Sequence, residues 1–266
     1  MGSHKPHSAA YFTDARDFWW DPDFLRLMAR RWDLRKVRSV LDAGCGIGHW
    51  GQALCPVLPR GARIVGIDPE SRWVRQAARR ARSRGLARRC DYRLGRVEAQ
   101  PFPDACFDLV TCQTLLIHVK DPKAALKEML RVLRPGGLLA VAEPNNLAGS
   151  LIRTSLSARQ PERRILKGVK AALASERRKR AQGKGDSSLG DLLPGLFAQL
   201  GLSDIRVHLS DKAWPLFPPY ASDEQKAILG QLRRFKQKRV LASVRKREFH
   251  QAGGALMYLV SGRKPN

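Results

Sequence analysis

The stretch Val40–Gly48, V-L-D-A-G-C-G-I-G, constrains this chain more than any other. It reads as a buried strand that ends in a glycine turn and feeds a helix. Glycines at 44, 46 and 48 leave no Cβ in the way, so the backbone can turn sharply and press against a ligand. Amides beyond such a turn point at whatever sits there. The G-x-G-x-G spacing differs from the dinucleotide fingerprint G-x-G-x-x-G. Asp42, two residues before the first glycine, separates the readings. A carboxylate under the loop repels a pyrophosphate and suits a ligand that carries an ammonium group.

A second acid lies in the right order. Arg63–Asp68 reads as the next buried strand and ends in Asp68, 26 residues after Asp42. An acid at that tip accepts the hydroxyls of a bound ribose, as in dinucleotide folds. It also suits a cap for the helix that begins near Ser71. Further along, Cys106–Cys112, Leu138–Glu143, Asp204–Leu209 and Ala255–Gly262 read as strands. Helical patterns separate them, including one started by Asp21-Pro22 and one by Asp121-Pro122. The alternation predicts an α/β fold with a doubly wound sheet.

The nonamer resembles the first motif of class I S-adenosylmethionine (SAM) dependent methyltransferases, whose acidic glycine loop holds the methionine end of SAM. Gly95–Pro103, G-R-V-E-A-Q-P-F-P, resembles the G-D-A-E-x-L-P-F-P stretch of the ubiquinone-biosynthesis-like (methyltransferase type 11) branch. F-D-L-V at Phe107–Val110 and L-R-P-G-G-L-L at Leu133–Leu139 match the same family. The resemblance covers residues 37–145 well and 191–266 loosely. It implies a Rossmann-like, seven-stranded class I methyltransferase sheet whose last strand is antiparallel and inserted. It also implies SAM as cofactor and S-adenosylhomocysteine as product. The implied cofactor residues are Asp42, Gly44, Cys45, Gly46, Gly48, Asp68, Pro69, Arg96, Val97, Glu98 and Gln113, with Asp68 on the ribose. Arg96 stands where this branch carries Asp, which leaves the Val97 amide and Glu98 for the adenine.

Acceptor chemistry in this family happens past the fourth strand, here at Gln113–Val119. The N/D-P-P-Y/F motif of amino-group methylases is not there. Phe217-Pro218-Pro219-Tyr220 imitates it over 100 residues too late. Thr111-Cys112-Gln113 faintly resembles the P-C-Q of cytosine-5 methylases, without its proline. His118 is a candidate general base, or a histidine that closes the site wall. Glu143, at the next strand tip, either orients or deprotonates an acceptor or caps the following segment. Tyr11, Trp19, Trp20, Asn145, Trp214 and Tyr220 are candidate lid and substrate residues; packing is the alternative role for the aromatics.

Four segments follow from this pattern. The resemblance implies that residues 1–36 form an N-terminal helical lid and 37–146 the SAM-binding core. Residues 147–190 form a basic helical insertion over the substrate, and 191–266 complete the sheet around a second basic helix. Residues 151–190 hold eleven basic and three acidic residues, and 223–249 hold nine and three. A helix from Pro161 places Ile165, Val169 and Leu173 on one face. Such a basic amphipathic helix covers a substrate, binds a polyanion or lies on anionic lipid. Gly183–Ser188 reads as flexible. Arg72, Arg75, Arg79 and Arg82 share another helix face, either solvated or an electrostatic platform.

The net charge is +25, from 49 basic and 24 acidic residues. That balance leaves nucleic acid or another polyanion open as a partner, against arginine written on solvated surface. Five cysteines with no C-x-x-C predict neither a disulfide framework nor a metal site, and a reducing, cytoplasmic compartment. No apolar run of about 18 residues predicts a transmembrane helix. Met1–Pro6 has no apolar leader. The resulting reading is methyl transfer from SAM to an O, N or C of a small-molecule acceptor, anionic or a specialised metabolite. The alternatives are an RNA or other polyanion methylase, and a SAM-binding module without turnover.

Overall fold

The computed structural model describes residues 12–151, 161–254 and 256–266. The chain divides into two compact units, one of residues 22–210 and 255–266, the other of 1–21 and 211–254.

The larger unit is built on a seven-stranded sheet. Its strands are β1 (Ser39–Ala43), β2 (Arg63–Asp68), β3 (Cys90–Leu94), β4 (Phe107–Gln113), β5 (Leu133–Pro144), β6 (Ser203–Leu209) and β9 (Met257–Arg263). The order is β3-β2-β1-β4-β5-β9-β6. Neighbours from β3 to β5 pair in parallel, and β9 pairs antiparallel with both β5 and β6. This is the class I methyltransferase arrangement, with the closing strand inserted as expected. Central strands are apolar on both faces, as parallel strands covered by helices must be. Val40, Leu41, Leu109, Val110, Leu139 and Val260 are all fully buried.

The helices of this unit are α1 (Pro22–Arg31), α2 (His49–Leu54), α3 (Ser71–Ser83), α4 (Pro122–Val132), α5 (Asn146–Leu151), α6 (Glu162–Ala181) and α7 (Leu193–Gln199). Local chemistry sets their ends. The Asp121 carboxylate accepts the Ala124 amide at 2.9 Å, and Pro122 fills the first turn of α4. That helix then buries Ala125, Leu126, Met129 and Val132 on one face. By contrast α3 buries only Ala77 and Ala81, and Arg75, Arg79 and Arg82 stand in solvent. Chain direction reverses its winding between β1 and β4. In open α/β sheets the crevice outside the carboxyl ends at such a switch is where ligands bind.

The smaller unit holds β7 (Trp214–Leu216), α8 (Asp223–Arg234), α9 (Lys238–Arg245) and β8 (Gln251–Gly253). β7 and β8 pair antiparallel. Ser222 and Gln225 form a capping box at the start of α8. The single helix expected over 223–249 is instead two, because Lys236 takes a left-handed φ of 52° between them. No glycine or proline marks that break in the sequence.

α1 belongs with the sheet, whereas a short 3-10 turn at Asp14–Phe18 packs on α8. There Thr13 Oγ1 donates to Gln231 Oε1 at 3.2 Å. This pairing is 218 residues apart in sequence, so no local pattern announces it. Among the described residues no helix is long and apolar enough to cross a membrane.

Candidate functional site

The switch point between β1 and β4 begins where β1 stops. Gly44, Gly46 and Gly48 take φ values of 64°, 53° and 81°, so every second residue of the loop is left-handed. A side chain there is strained, which is why the sequence alternates glycine. The Cys45 amide donates to the Ile67 carbonyl at 2.8 Å and ties the loop to the end of β2. Behind it, the Gln52 amide group donates to the Tyr92 hydroxyl at 2.9 Å. Tyr92 lies so close to Gly66 that an added Cβ would sit 2.6 Å from its ring.

Two buried carboxylates flank this bend. Asp42 is 1% exposed, and its Oδ2 accepts the Gly51 amide of α2 at 3.0 Å. Its Oδ1 has no hydrogen-bond partner among the described residues. Burial, opposed by the Gly51 amide, pushes its pKa up to about 7. Asp68 accepts the Gly46 amide on Oδ2 at 3.0 Å and the Glu70 amide on Oδ1 at 2.9 Å. Burial raises its pKa, against those two amides. A carboxylate has about four lone-pair sites, so one acceptor site remains on each Asp68 oxygen. That is the number a vicinal diol needs. The orphaned Asp42 oxygen is an acceptor of the kind that suits an ammonium donor. This donor set therefore fits a nucleoside carrying an amino-acid tail.

Val97 is buried, while Arg96 and Glu98 turn outward, with Arg96 Nε 3.6 Å from Glu98 Oε2. The Arg96 side chain, two-thirds exposed, is engaged with that acid at the surface. Arg131 holds the segment that follows. It donates to the carbonyls of Gln100 and Phe102 and pairs with Asp104 and Glu128. Pro69 is exposed and Cys45 is buried, its thiol pushed up by burial and by Asp42 and Asp68.

The turn after β4 closes the other wall. Gln113 is buried at the strand tip, and Thr114 takes a φ of 51°, unusual for a β-branched residue. A Cβ on Gly44 would sit 2.4 Å from the Leu115 side chain, so Leu115 lies directly on the glycine loop. Glu143 is 0% exposed and its Oε1 accepts the amides of Leu115 and Leu116, each at 2.8 Å. Burial pushes its pKa up to about 7, against the amides of this turn. The Cys112 thiol donates to the same oxygen at 3.7 Å. That thiol is fully buried and driven well up in pKa, the opposite of what an attacking thiolate requires. His118 is half-buried in the 3-10 turn Leu116–His118.

The insertion meets this same turn. Lys179 of α6 donates to the Ile117 carbonyl at 2.8 Å and to Ser187 Oγ at 2.7 Å. At Gly185, φ 87°, an added Cβ would sit 2.4 Å from the Ile117 carbonyl oxygen. Ser187 and Ser188 are hydrogen-bonded to Glu176, Asp186 and Leu147. The Gly183–Ser188 segment, read from its composition as flexible, is hydrogen-bonded at Ser187 and Ser188. Asn145 donates to Asp191 and accepts the Ala148 amide, so it joins the two ends of the insertion.

The remaining aromatic candidates lie in the smaller unit. The Trp19 and Trp214 rings are 6.3 Å apart, Trp20 is buried, and the Tyr220 hydroxyl donates to the Phe249 carbonyl at 2.9 Å. Tyr11 lies outside the described residues. Lys179, Arg131, Leu115 and Tyr92 are the residues that sequence reasoning missed. Three of them sit in unremarkable apolar or basic runs, and only contacts distant in sequence reveal them.

Residues 41–141 match the profile of a methyltransferase domain. An uncharacterized methyltransferase of Schizosaccharomyces pombe is 32% identical over 120 residues, 43% of each chain. A ubiquinone biosynthesis O-methyltransferase of Idiomarina loihiensis is 34% identical over 148 residues, 50% of this chain and 58% of that protein. The chain thus spans about half the length of these curated relatives. A phosphoethanolamine N-methyltransferase 2 of Haemonchus contortus, solved with SAM, superimposes with a TM-score of 0.54 at 16% identity. That superposition covers 92% of this chain and 53% of the other. The matched profile and the seven-stranded order show that residues 41–141 resemble a methyltransferase domain and that the sheet has the fold of class I SAM-dependent methyltransferases.

Proposed function

We propose that this protein transfers the methyl group of SAM to a nucleophilic O, N or C of a small-molecule acceptor. The observation that carries the reading is the glycine bend between Asp42 and Asp68, with an unpartnered acceptor on the first and one left on each oxygen of the second. When bound, SAM supplies an already activated methyl. The chain's own task is then positioning: aligning the acceptor atom at about 3–3.5 Å and excluding water. Asp42 and Asp68 hold the two ends of the cofactor. The Val97 amide takes the adenine edge, and Leu115 shields the loop from solvent. Gln113 borders the same mouth.

No acid–base pair is required when the acceptor loses its proton easily. His118, at the end of the turn, is the side chain we assign as base where one is needed. Glu143 acts by holding the turn through its two amides rather than by reaching substrate. Residues 147–190 cover the acceptor, and Lys179 couples that cover to the turn.

The small-molecule reading is favoured by the missing N/D-P-P-Y/F motif, by the inert Cys112 and by a relative named for ubiquinone biosynthesis. The charge of +25 supports RNA as the second reading. Labelled methyl transfer from SAM into a cell extract, with products sorted into small-molecule and RNA fractions, separates them. Label in the small-molecule fraction is expected. Label confined to RNA supports the second reading, and SAM binding without any label leaves a binding module.

A further inference from the structure

Helix α6 carries a stripe that neither the sheet nor the cofactor crevice uses. Arg163, Leu166, Lys170 and Arg177 fall on one exposed helix face, with half-buried Leu173 at its edge. Cations alternate with aliphatic side chains along it. Leu166 is 48% exposed and its neighbour Ile165 39%. Among the described residues of α6 none is buried. Lys179 turns inward to the Ile117 carbonyl, and Arg180 pairs with Asp186. The other six cations of the helix, Arg163, Arg164, Lys167, Lys170, Arg177 and Arg178, have no carboxylate partner among the described residues.

We propose that this face of α6 docks on an anionic lipid bilayer. Unpaired cations alone would suit any polyanion. The aliphatic side chains between them decide the matter. An interfacial helix sinks its apolar residues into the acyl boundary and keeps its cations among the headgroup phosphates. Lysine and arginine stems lie along the apolar surface with their heads in water. A single-stranded nucleic acid site stacks bases on aromatic rings, and α6 contains none. At 20 residues the helix is about 30 Å long, enough to lie flat across several headgroups. Its carboxyl end is bonded to the turn after β4, so docking holds that turn close to the bilayer surface.

Sedimentation with phosphatidylglycerol vesicles, against phosphatidylcholine vesicles and an RNA oligonucleotide, tests this without any methyl transfer. The protein is expected to bind the anionic vesicles and not the neutral ones. Replacing Arg163, Lys170 and Arg177 together by Ala should weaken vesicle binding roughly a hundredfold, at about fivefold per cation. Leu166→Ser, which leaves the charge unchanged, should weaken it as well. A matched triple on α3, Arg75→Ala with Arg79→Ala and Arg82→Ala, controls for net charge and should cost much less. Thermal melting checks that each variant folds. Equal loss from the two triples, vesicle binding indifferent to Leu166→Ser, or stripe-dependent binding to RNA alone would overturn the proposal.

Discussion

Asp68 and Asp42 are both buried acids, yet their surroundings assign them different work. Asp68 already accepts two backbone amides and keeps one acceptor site on each oxygen, which we propose bind a diol. Asp68→Ala should weaken SAM binding by roughly 1–3 kcal/mol through lost charge-assisted hydrogen bonds. Calorimetry showing unchanged affinity in a folded variant would remove Asp68 from the site. Asp42 and Glu143 have pKa values raised to about 7, well above their ordinary 3.8 and 4.5. Between those limits the folded protein holds protons that the unfolded chain has released. Their contribution to stability is therefore full at the acidic end and is lost as pH rises through about 7. An ammonium ligand prefers the ionised Asp42, so SAM affinity should rise over the same interval. Asp42→Asn should flatten both trends. Melting and calorimetry at several pH values check this, and slopes unchanged in the variant would refute it.

At the scale of elements, the turn after β4 is the part held under most constraint. It contains a β-branched residue with left-handed φ, and buried Glu143 bonds its first two amides after Thr114. Glu143→Ala should cost about 2–6 kcal/mol, because two amides lose a partner at roughly 1–3 kcal/mol each. Glu143→Gln keeps an acceptor oxygen and should cost markedly less. Denaturant melts of the two variants measure the difference; equal losses would mean that the amide bonds are not the cause. Gly185→Ala tests the other side of the turn. It adds a Cβ at a φ of 87° and 2.4 Å from the Ile117 oxygen. Destabilisation by about 1–3 kcal/mol is expected. A melting temperature equal to the parent's would show that the insertion is not seated on the turn.

For the whole molecule, the question is what the basic insertion serves. Deleting residues 151–186 should impair acceptor methylation more than SAM binding, because the cofactor's proposed ligands lie in the sheet. Equal loss of both in paired activity and calorimetry measurements would make the insertion a structural part of the core. An RNA acceptor carries a separate signature, since its log affinity would fall steeply with log salt concentration.

The sheet, the glycine loop and its two acids were legible from the residues alone. They are local patterns: apolar runs ended by Asp42 and Asp68, glycines where backbone must turn left-handed, and Asp-Pro helix starts. What escaped the sequence depends on contacts between distant positions. Thr13 meeting Gln231, Lys179 meeting Ile117, and Glu143 bonding Leu115 and Leu116 leave no periodic trace. The break at Lys236 is of the same kind, since no residue there forbids a helix. Backbone chemistry at single residues thus determined the elements and the glycine bend between the two acids that we propose as the cofactor site. Only tertiary packing decided which side chains stay free for a ligand and which are taken up in holding the turn. Burial and pairing arise when strands far apart in the chain are brought side by side.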